Sequence, residues 1–229
     1  MRYLDNYGDS RLTGFCVFCG GVSETRDHIP SKVFLDTPYP ENLYFVPACL
    51  ECNNSFSLDE EYLACLIECV ACGSTSPDCV TRPKIQRILT EKPQLASRIE
   101  DCASKNLFGE TIFMPEWNRV LAVIKKLAQG HIAYENNEPQ LENPPKIFLK
   151  PLDSMKLEER NSFETIPSCS AYPEVGTRLM QRLFIEGHNW IVIQPGRYRY
   201  VTMIWPEVRI VIGEYLAAVI SWEDDEDLF

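Results

Sequence analysis

The sequence predicts an α+β protein with a cysteine-rich N-terminal module, a helical middle and a C-terminal antiparallel β meander. Two pairs of closely spaced cysteines frame residues 16–52. Apolar residues recur with a helical period from Leu58 onward, and short apolar runs between turn residues follow beyond position 182. The patterns divide the chain into a module of residues 1–75, a helical region of residues 76–134 and a mixed region of residues 147–222, whose function no motif indicates.

Composition and charge limit the class of protein. The 229 residues are 45% hydrophobic and 24% charged, as in globular proteins that bury a core. The chain lacks the roughly 18 to 20 consecutive apolar residues of a membrane helix, and its polar start does not resemble a secretory signal. We therefore expect a cytoplasmic protein that binds no membrane. In a reducing compartment, its ten cysteines indicate metal binding more than disulfide formation.

The first element is the cysteine frame. Cys16 and Cys19 form one CxxC pair, and Cys49 and Cys52 form the other. Thiolates at this spacing can reach one ion, and two such pairs complete a tetrahedral zinc site. Four sulfur ligands leave no coordination position for water, so we expect a structural zinc ion.

The residues inside the frame carry a more specific pattern. Asp27-His28 is followed by Pro30, Asn42-Leu43 precedes Pro47, and Asn53 directly follows the last cysteine of the frame. Together with the cysteines, this order resembles the subgroup of the HNH endonuclease superfamily that carries paired CxxC knuckles. The resemblance covers roughly residues 13–63. It implies a ββα-metal fold and hydrolysis of phosphodiester bonds.

The resemblance also implies a role for each motif residue. His28 would be the general base that takes a proton from the attacking water. Asp27 and Asn53 would ligate a catalytic divalent ion, although Asn54 could take the place of Asn53. Asn42 would brace the loop between the strands and orient His28. Carboxylate and amide oxygens suit Mg²⁺ or Mn²⁺, and a neutral imidazole suits proton abstraction near neutral pH.

The expected partner is a nucleic acid, with DNA favoured over RNA, yet the net charge of −11 does not favour a polyanionic ligand. Either the basic residues cluster on one face or a protein partner holds the substrate. The acidity also leaves a second hypothesis open, in which the module is a zinc-binding adaptor that keeps the scaffold without catalysis.

The helical middle follows from periodicity and breakers. The pattern predicts one helix from Leu58 to Gly73, two helices within 81–107 broken at Pro93, and a helix over 115–129 that ends at Gly130. In the last helix, Arg119, Lys125 and Lys126 fall mostly off the apolar stripe, which makes them a solvated face or a phosphate-contacting one.

The C-terminal region reads as strands. The runs at 183–186, 189–194, 197–205 and 207–212 predict an antiparallel meander, and 214–222 fits a strand or a helix. Tyr198 and Tyr200 would either stack on nucleic acid or pack against the helices. We expect the remaining cysteines to be core residues; they are Cys65, Cys69, Cys72, Cys79, Cys102 and Cys169. Two histidines, His131 and His188, lie in apparent turns, and we assign them no function.

Overall fold

The fold is built from a hairpin after the first cysteine pair, several helices and a C-terminal sheet, and the class is α+β. The computed structural model describes residues 14–109, 111–168 and 171–222. Cys169, residues 1–13 and the acidic tail 223–229 lie outside these ranges. The described residues form two units: 14–55 with 124–222, and 56–123.

The first unit begins with a short hairpin and a helix. Strand β1 (Thr25–His28) pairs antiparallel with β2 (Phe45–Ala48), and Asp27 lies opposite Val46. Helix α1 (Leu50–Ser55) follows β2 after one residue, with Cys49 just before the helix and Cys52 within it. Val17, Ile29 and Val46 form a buried cluster with Tyr134. The cysteine-rich segment therefore completes its core with a residue that lies far away in the sequence.

Five antiparallel strands form the sheet of this unit, in the order β5-β9-β8-β7-β6. Strands β6 to β9 are consecutive neighbours, so the predicted meander is confirmed. The run at 214–222 is a strand and not a helix, since β9 lies between β5 and β8. The strands are β5 (Lys146–Pro151), β6 (Ile191–Gln194), β7 (Tyr198–Thr202), β8 (Glu207–Ile212) and β9 (Leu216–Ser221).

Two helices accompany the sheet, α6 (Leu157–Glu164) and α7 (Arg178–Ile185). The predicted strand at 183–186 is wrong, because those residues mostly belong to α7. The helix begins at Thr177, whose hydroxyl accepts a hydrogen bond from the Met180 amide at 3.2 Å. That capping residue lies six positions upstream of the apolar run, outside the short window that suggested a strand.

The second unit is mainly helical, as predicted. Helix α2 ends at Gly73, whose φ of 68° is the left-handed conformation of a helix C-terminus. Two further helices meet at Pro93, and a short hairpin follows them. Cys65 and Cys69 are buried, as predicted. Cys72 and Cys79 are exposed, so the core packing predicted for these two residues is wrong. Cys72 is the last residue of α2, and Cys79 ends a single turn of 3-10 helix. The elements are α2 (Ser57–Cys72), α3 (Pro83–Glu91), α4 (Pro93–Asp101), β3 (Ala103–Lys105) and β4 (Thr111–Phe113).

Helix α5 (Trp117–Asn136) is longer than predicted. It does not end at Gly130, which lies inside it. A Cβ atom at Gly130 would lie 2.6 Å from both Cγ1 and Cδ1 of Ile29. The glycine therefore permits close packing of the chain after β1 against α5, and it does not cap the helix.

None of the described helices is long and apolar enough to cross a bilayer.

Candidate functional site

The first cysteine knuckle is a tight turn shaped for a thiolate. The Gly20 amide donates to the Cys16 carbonyl at 2.8 Å, and Gly20 has a φ of 75°, which glycine adopts without strain. This turn directs the Gly21 amide toward Cys19 Sγ at 3.4 Å. Such a hydrogen bond stabilises negative charge on sulfur.

The second knuckle repeats this contact at the start of α1. The Cys52 amide donates to Cys49 Sγ at 3.3 Å. The Sγ atoms of Cys16, Cys19, Cys49 and Cys52 all lie within 4.8 Å of one another, and those of Cys19 and Cys49 are 3.8 Å apart. A tetrahedron with zinc–sulfur bonds of about 2.3 Å has edges of about 3.8 Å. The four cysteines can therefore hold one metal ion, and their geometry fits a structural zinc site.

Four neighbouring thiols would be deprotonated together only around a cation, although the Cys52 amide already lowers the pKa of Cys49. Burial and the neighbouring cysteines raise the pKa of Cys52, because each added thiolate would meet negative charge already present. A divalent ion reverses this effect by binding the thiolates directly. In the part of the chain that the structure describes, the four cysteines are the one group of three or more potential metal ligands at such distances.

His28 lies at the end of β1 with its ring half-buried. Its Nδ1 is 3.2 Å from the Tyr44 carbonyl oxygen, which also accepts a hydrogen bond from the Ile29 amide. A carbonyl only accepts, so Nδ1 carries the hydrogen and Nε2 of the neutral ring keeps its lone pair. Burial, with Lys32 and Lys126 nearby, lowers the pKa of His28. The imidazole is therefore neutral near pH 7.

Asp27 is 7% exposed and forms a buried ion pair. Lys126 Nζ lies 2.8 Å from its Oδ2 atom, and the lysine side chain is only 1% exposed. Burial raises the pKa of Asp27, whereas the charge of Lys126 and the His28 amide oppose this rise. Lys126 was predicted to lie on a solvated or phosphate-contacting face of its helix. That prediction is wrong, because Gly130 opens this side of α5 to β1.

Asn53 lies on α1 beside the same strand. Its amide nitrogen donates to Thr25 Oγ1 at 3.0 Å. Thr25 and Asp27 are two residues apart on β1 and so share one face of the strand, which brings Asn53 to the face that carries Asp27. Asn54 is exposed. Asn42 lies exposed in the turn before β2, and the contact to the His28 ring comes from the Tyr44 carbonyl.

The surface next to His28 carries positive charge, although the chain is acidic. Arg26 and Lys32 are exposed. Arg26 lies over the Phe45 ring at 4.7 Å from its centroid, and Lys32 lies over the Tyr39 ring at 5.7 Å. Both cations flank His28, on β1 and just after it.

The tyrosines of β7 belong to the core. Tyr198 and Tyr200 are both fully buried, which confirms the packing alternative. His131 stacks on Tyr200 with ring centroids 3.6 Å apart, and its Nε2 is 2.8 Å from the Tyr198 hydroxyl. The expectation that His131 lies in a turn is wrong, since it lies within α5. Tyr200 also donates to Glu135 at 2.6 Å, and this carboxylate accepts from Arg182.

The neighbouring arginines are paired with carboxylates. Arg197 binds Asp36, and Arg199 binds Glu164 and Glu214. His188 lies in the loop before β6, where its Nε2 is 2.7 Å from the Thr202 carbonyl oxygen.

Sequence reasoning missed Lys126 and Tyr44 as members of the site. One sequence feature indicated that Lys126 lies on a buried side of the helix. Val123 and Gly130 lie three residues before it and four residues after it. Both are small or apolar, as expected for a buried side of the helix. Tyr44 acts through its backbone carbonyl, for which the sequence offers no signal.

Comparison with protein-family models, with curated proteins and with solved structures gives no match to this chain. The resemblance to the HNH superfamily therefore stays a prediction that depends on the motif residues themselves.

Proposed function

We propose that the protein is an HNH-type, metal-dependent endonuclease that hydrolyses phosphodiester bonds, with DNA favoured over RNA. The observation that carries the proposal is the orientation of His28. The Tyr44 carbonyl fixes the ring through Nδ1, in the segment between the two cysteine pairs where the motif places a general base. An imidazole held in this way is prepared to accept a proton at Nε2.

In the proposed reaction, His28 Nε2 takes a proton from the attacking water. Burial and nearby Lys32 keep the pKa of His28 low, so the base is neutral and active near pH 7. The exposed Arg26 and Lys32 would bind the phosphates that flank the scissile bond. They give an acidic protein a local site for a polyanion, and a protein partner would supply any further grip on the substrate.

The catalytic metal would be held by Asp27 and by Asn53 or Asn54. A carboxylate and an amide oxygen suit Mg²⁺ or Mn²⁺. The Asn53 contact to Thr25 supports this assignment, because Thr25 and Asp27 alternate onto one face of β1. When bound, the ion would stabilise negative charge on the phosphate and on the departing oxygen. Zinc at the four cysteines would have a structural role, since it would fix the hairpin and α1 around these residues. We infer a cytoplasmic location.

A cleavage assay tests this proposal. The zinc-loaded protein is incubated with supercoiled DNA, single-stranded DNA or a structured RNA, with Mg²⁺ or Mn²⁺ and with EDTA. We expect metal-dependent nicking that His28→Ala abolishes and His188→Ala preserves, with equal zinc content in both variants. If the wild-type protein cleaves none of these substrates, or if His28→Ala cleaves as fast as His188→Ala, the nuclease proposal fails.

The ion pair between Asp27 and Lys126 favours a second candidate, a zinc-binding adaptor without catalysis. In that case Asp27 is a structural counter-ion, and the acidic protein binds another protein. Two variants separate the candidates in a cellular assay of function. An adaptor would tolerate His28→Ala and fail with Cys49→Ser, whereas a nuclease would fail with both.

A further inference from the structure

Lys126 is the part of the site that the nuclease chemistry leaves unexplained. Its ammonium group lies 2.8 Å from Asp27 Oδ2 and donates to Ser31 Oγ at 3.0 Å. It also lies 5.7 Å from the centroid of the Phe18 ring. A carboxylate, a hydroxyl and an aromatic ring, all from residues 18–31, thus contact one cation from helix α5.

This arrangement is fixed by packing. Asp27, Ser31 and Lys126 are 7%, 8% and 1% exposed, so water cannot replace their contacts to one another. An ammonium group buried to this degree requires a counter-charge. Gly130, one helical turn after Lys126, lets Ile29 pack directly on α5, and this contact holds the helix next to Asp27.

A metal ion at Asp27 would meet this ammonium group. Magnesium and manganese bind carboxylate oxygens at about 2.1 Å, so an ion on Oδ2 would lie within about 5 Å of Lys126 Nζ, given the 2.8 Å pair. Asp27 and Lys126 are both buried, so the repulsion between such cations would be weakly screened. Because Lys126 already neutralises the charge of this carboxylate, Asp27 would bind a divalent ion less strongly than an unpaired aspartate.

We propose that Lys126 is an internal cation that competes with Mg²⁺ or Mn²⁺ for Asp27 and holds the centre in a state of low metal affinity. This inference rests on the proposed function, because it takes Asp27 as a metal ligand. It identifies Lys126 as a residue that regulates metal binding. In the resting state, the charge of Asp27 is neutralised within the fold, and metal binding requires Lys126 to leave the carboxylate.

Manganese binding to the full, zinc-loaded chain tests the proposal directly. Free Mn²⁺ is measured by electron paramagnetic resonance in wild type, in Lys126→Gln and in the control Lys125→Gln, which removes an adjacent lysine from the same helix. We expect Lys126→Gln to bind Mn²⁺ at least about tenfold more tightly than the other two proteins. Adding Asp27→Asn should remove the gain. Equal or weaker binding by Lys126→Gln would overturn the proposal.

A second measurement uses only the wild-type protein, in case Lys126→Gln does not fold. Lysine acetylation by a small reagent is followed at Lys126 by mass spectrometry, with and without saturating Mn²⁺. The metal should increase the rate of labelling at Lys126 and leave the rate at Lys125 unchanged. Bound Mn²⁺ without any increase at Lys126 would overturn the proposal.

Failure of the Lys126 proposal and failure of the nuclease proposal give different experimental results. His28-dependent cleavage with unchanged Mn²⁺ affinity in Lys126→Gln would remove the role of Lys126 and leave the nuclease. Tighter Mn²⁺ binding by Lys126→Gln, without cleavage of any substrate, would support the competition at Asp27 and argue against the nuclease.

Discussion

Replacing Gly130 with alanine tests whether this glycine permits close packing inside α5. The new Cβ would lie 2.6 Å from two side-chain atoms of Ile29, which is fully buried. This distance is roughly 1 Å shorter than a normal contact between carbon atoms. Overpacking of this kind costs about 1–3 kcal/mol, while alanine favours a helix over glycine by about 1 kcal/mol. We expect a net loss of about 1 kcal/mol in the free energy of unfolding.

A double-mutant cycle makes the test specific to the contact. In an Ile29→Ala background the obstructing atoms are gone, so Gly130→Ala should stabilise the protein by about 1 kcal/mol. The coupling energy between the two sites is then about 2 kcal/mol. Urea denaturation of the zinc-loaded protein measures each value. If Gly130→Ala has the same effect in both backgrounds, the packing argument is refuted.

Three further predictions follow from the structure. Cys49→Ser should lose the bound zinc, as measured by atomic absorption, whereas Cys79→Ser should keep it because that cysteine lies exposed in a turn. Burial lowers the pKa of His131 well below 6.5, so its contribution to stability is present above pH 6.5 and is lost as the pH falls. Between pH 7.5 and 5.5, wild type should lose about 1 kcal/mol more than His131→Phe; equal losses by chemical denaturation would contradict this. The lowered pKa of His28 predicts that the cleavage rate falls with acid at a midpoint below pH 6.5; a midpoint above that value would exclude His28 as the base.

The cysteine frame could be predicted from sequence because its requirement is local. Two thiols at CxxC spacing reach one ion whatever surrounds them, and the structure brings all four together. The helices of the middle region were also predictable, since Gly73 and Pro93 interrupt a clear apolar period. By contrast, the short run at 183–186 has the composition of a strand, and its helix is fixed by a cap outside that run.

The partner of Asp27 could not be predicted, because the ion pair joins residues that are far apart in sequence. A lysine on a helix is usually solvated, and Lys126 is buried on the side of the helix where Gly130 permits Ile29 to pack closely. A glycine within a helical sequence pattern has two common structural reasons: it ends the helix, or it permits another segment to pack closely against it. Choosing between them requires knowing that Ile29 packs there. His28 was in the motif, but its orientation depends on the Tyr44 backbone.

The core shared by the cysteine-rich segment and α5 limits how this segment could be reused. Val17, Ile29 and Val46 pack against Tyr134, and Asp27 takes its counter-ion from the same helix. A zinc ion would hold the two knuckles together, but it could not replace those contacts. Recombination that transferred only the N-terminal segment to another protein would expose an apolar surface beside an uncompensated carboxylate. Natural shuffling of this unit should therefore carry helix α5 along with the motif.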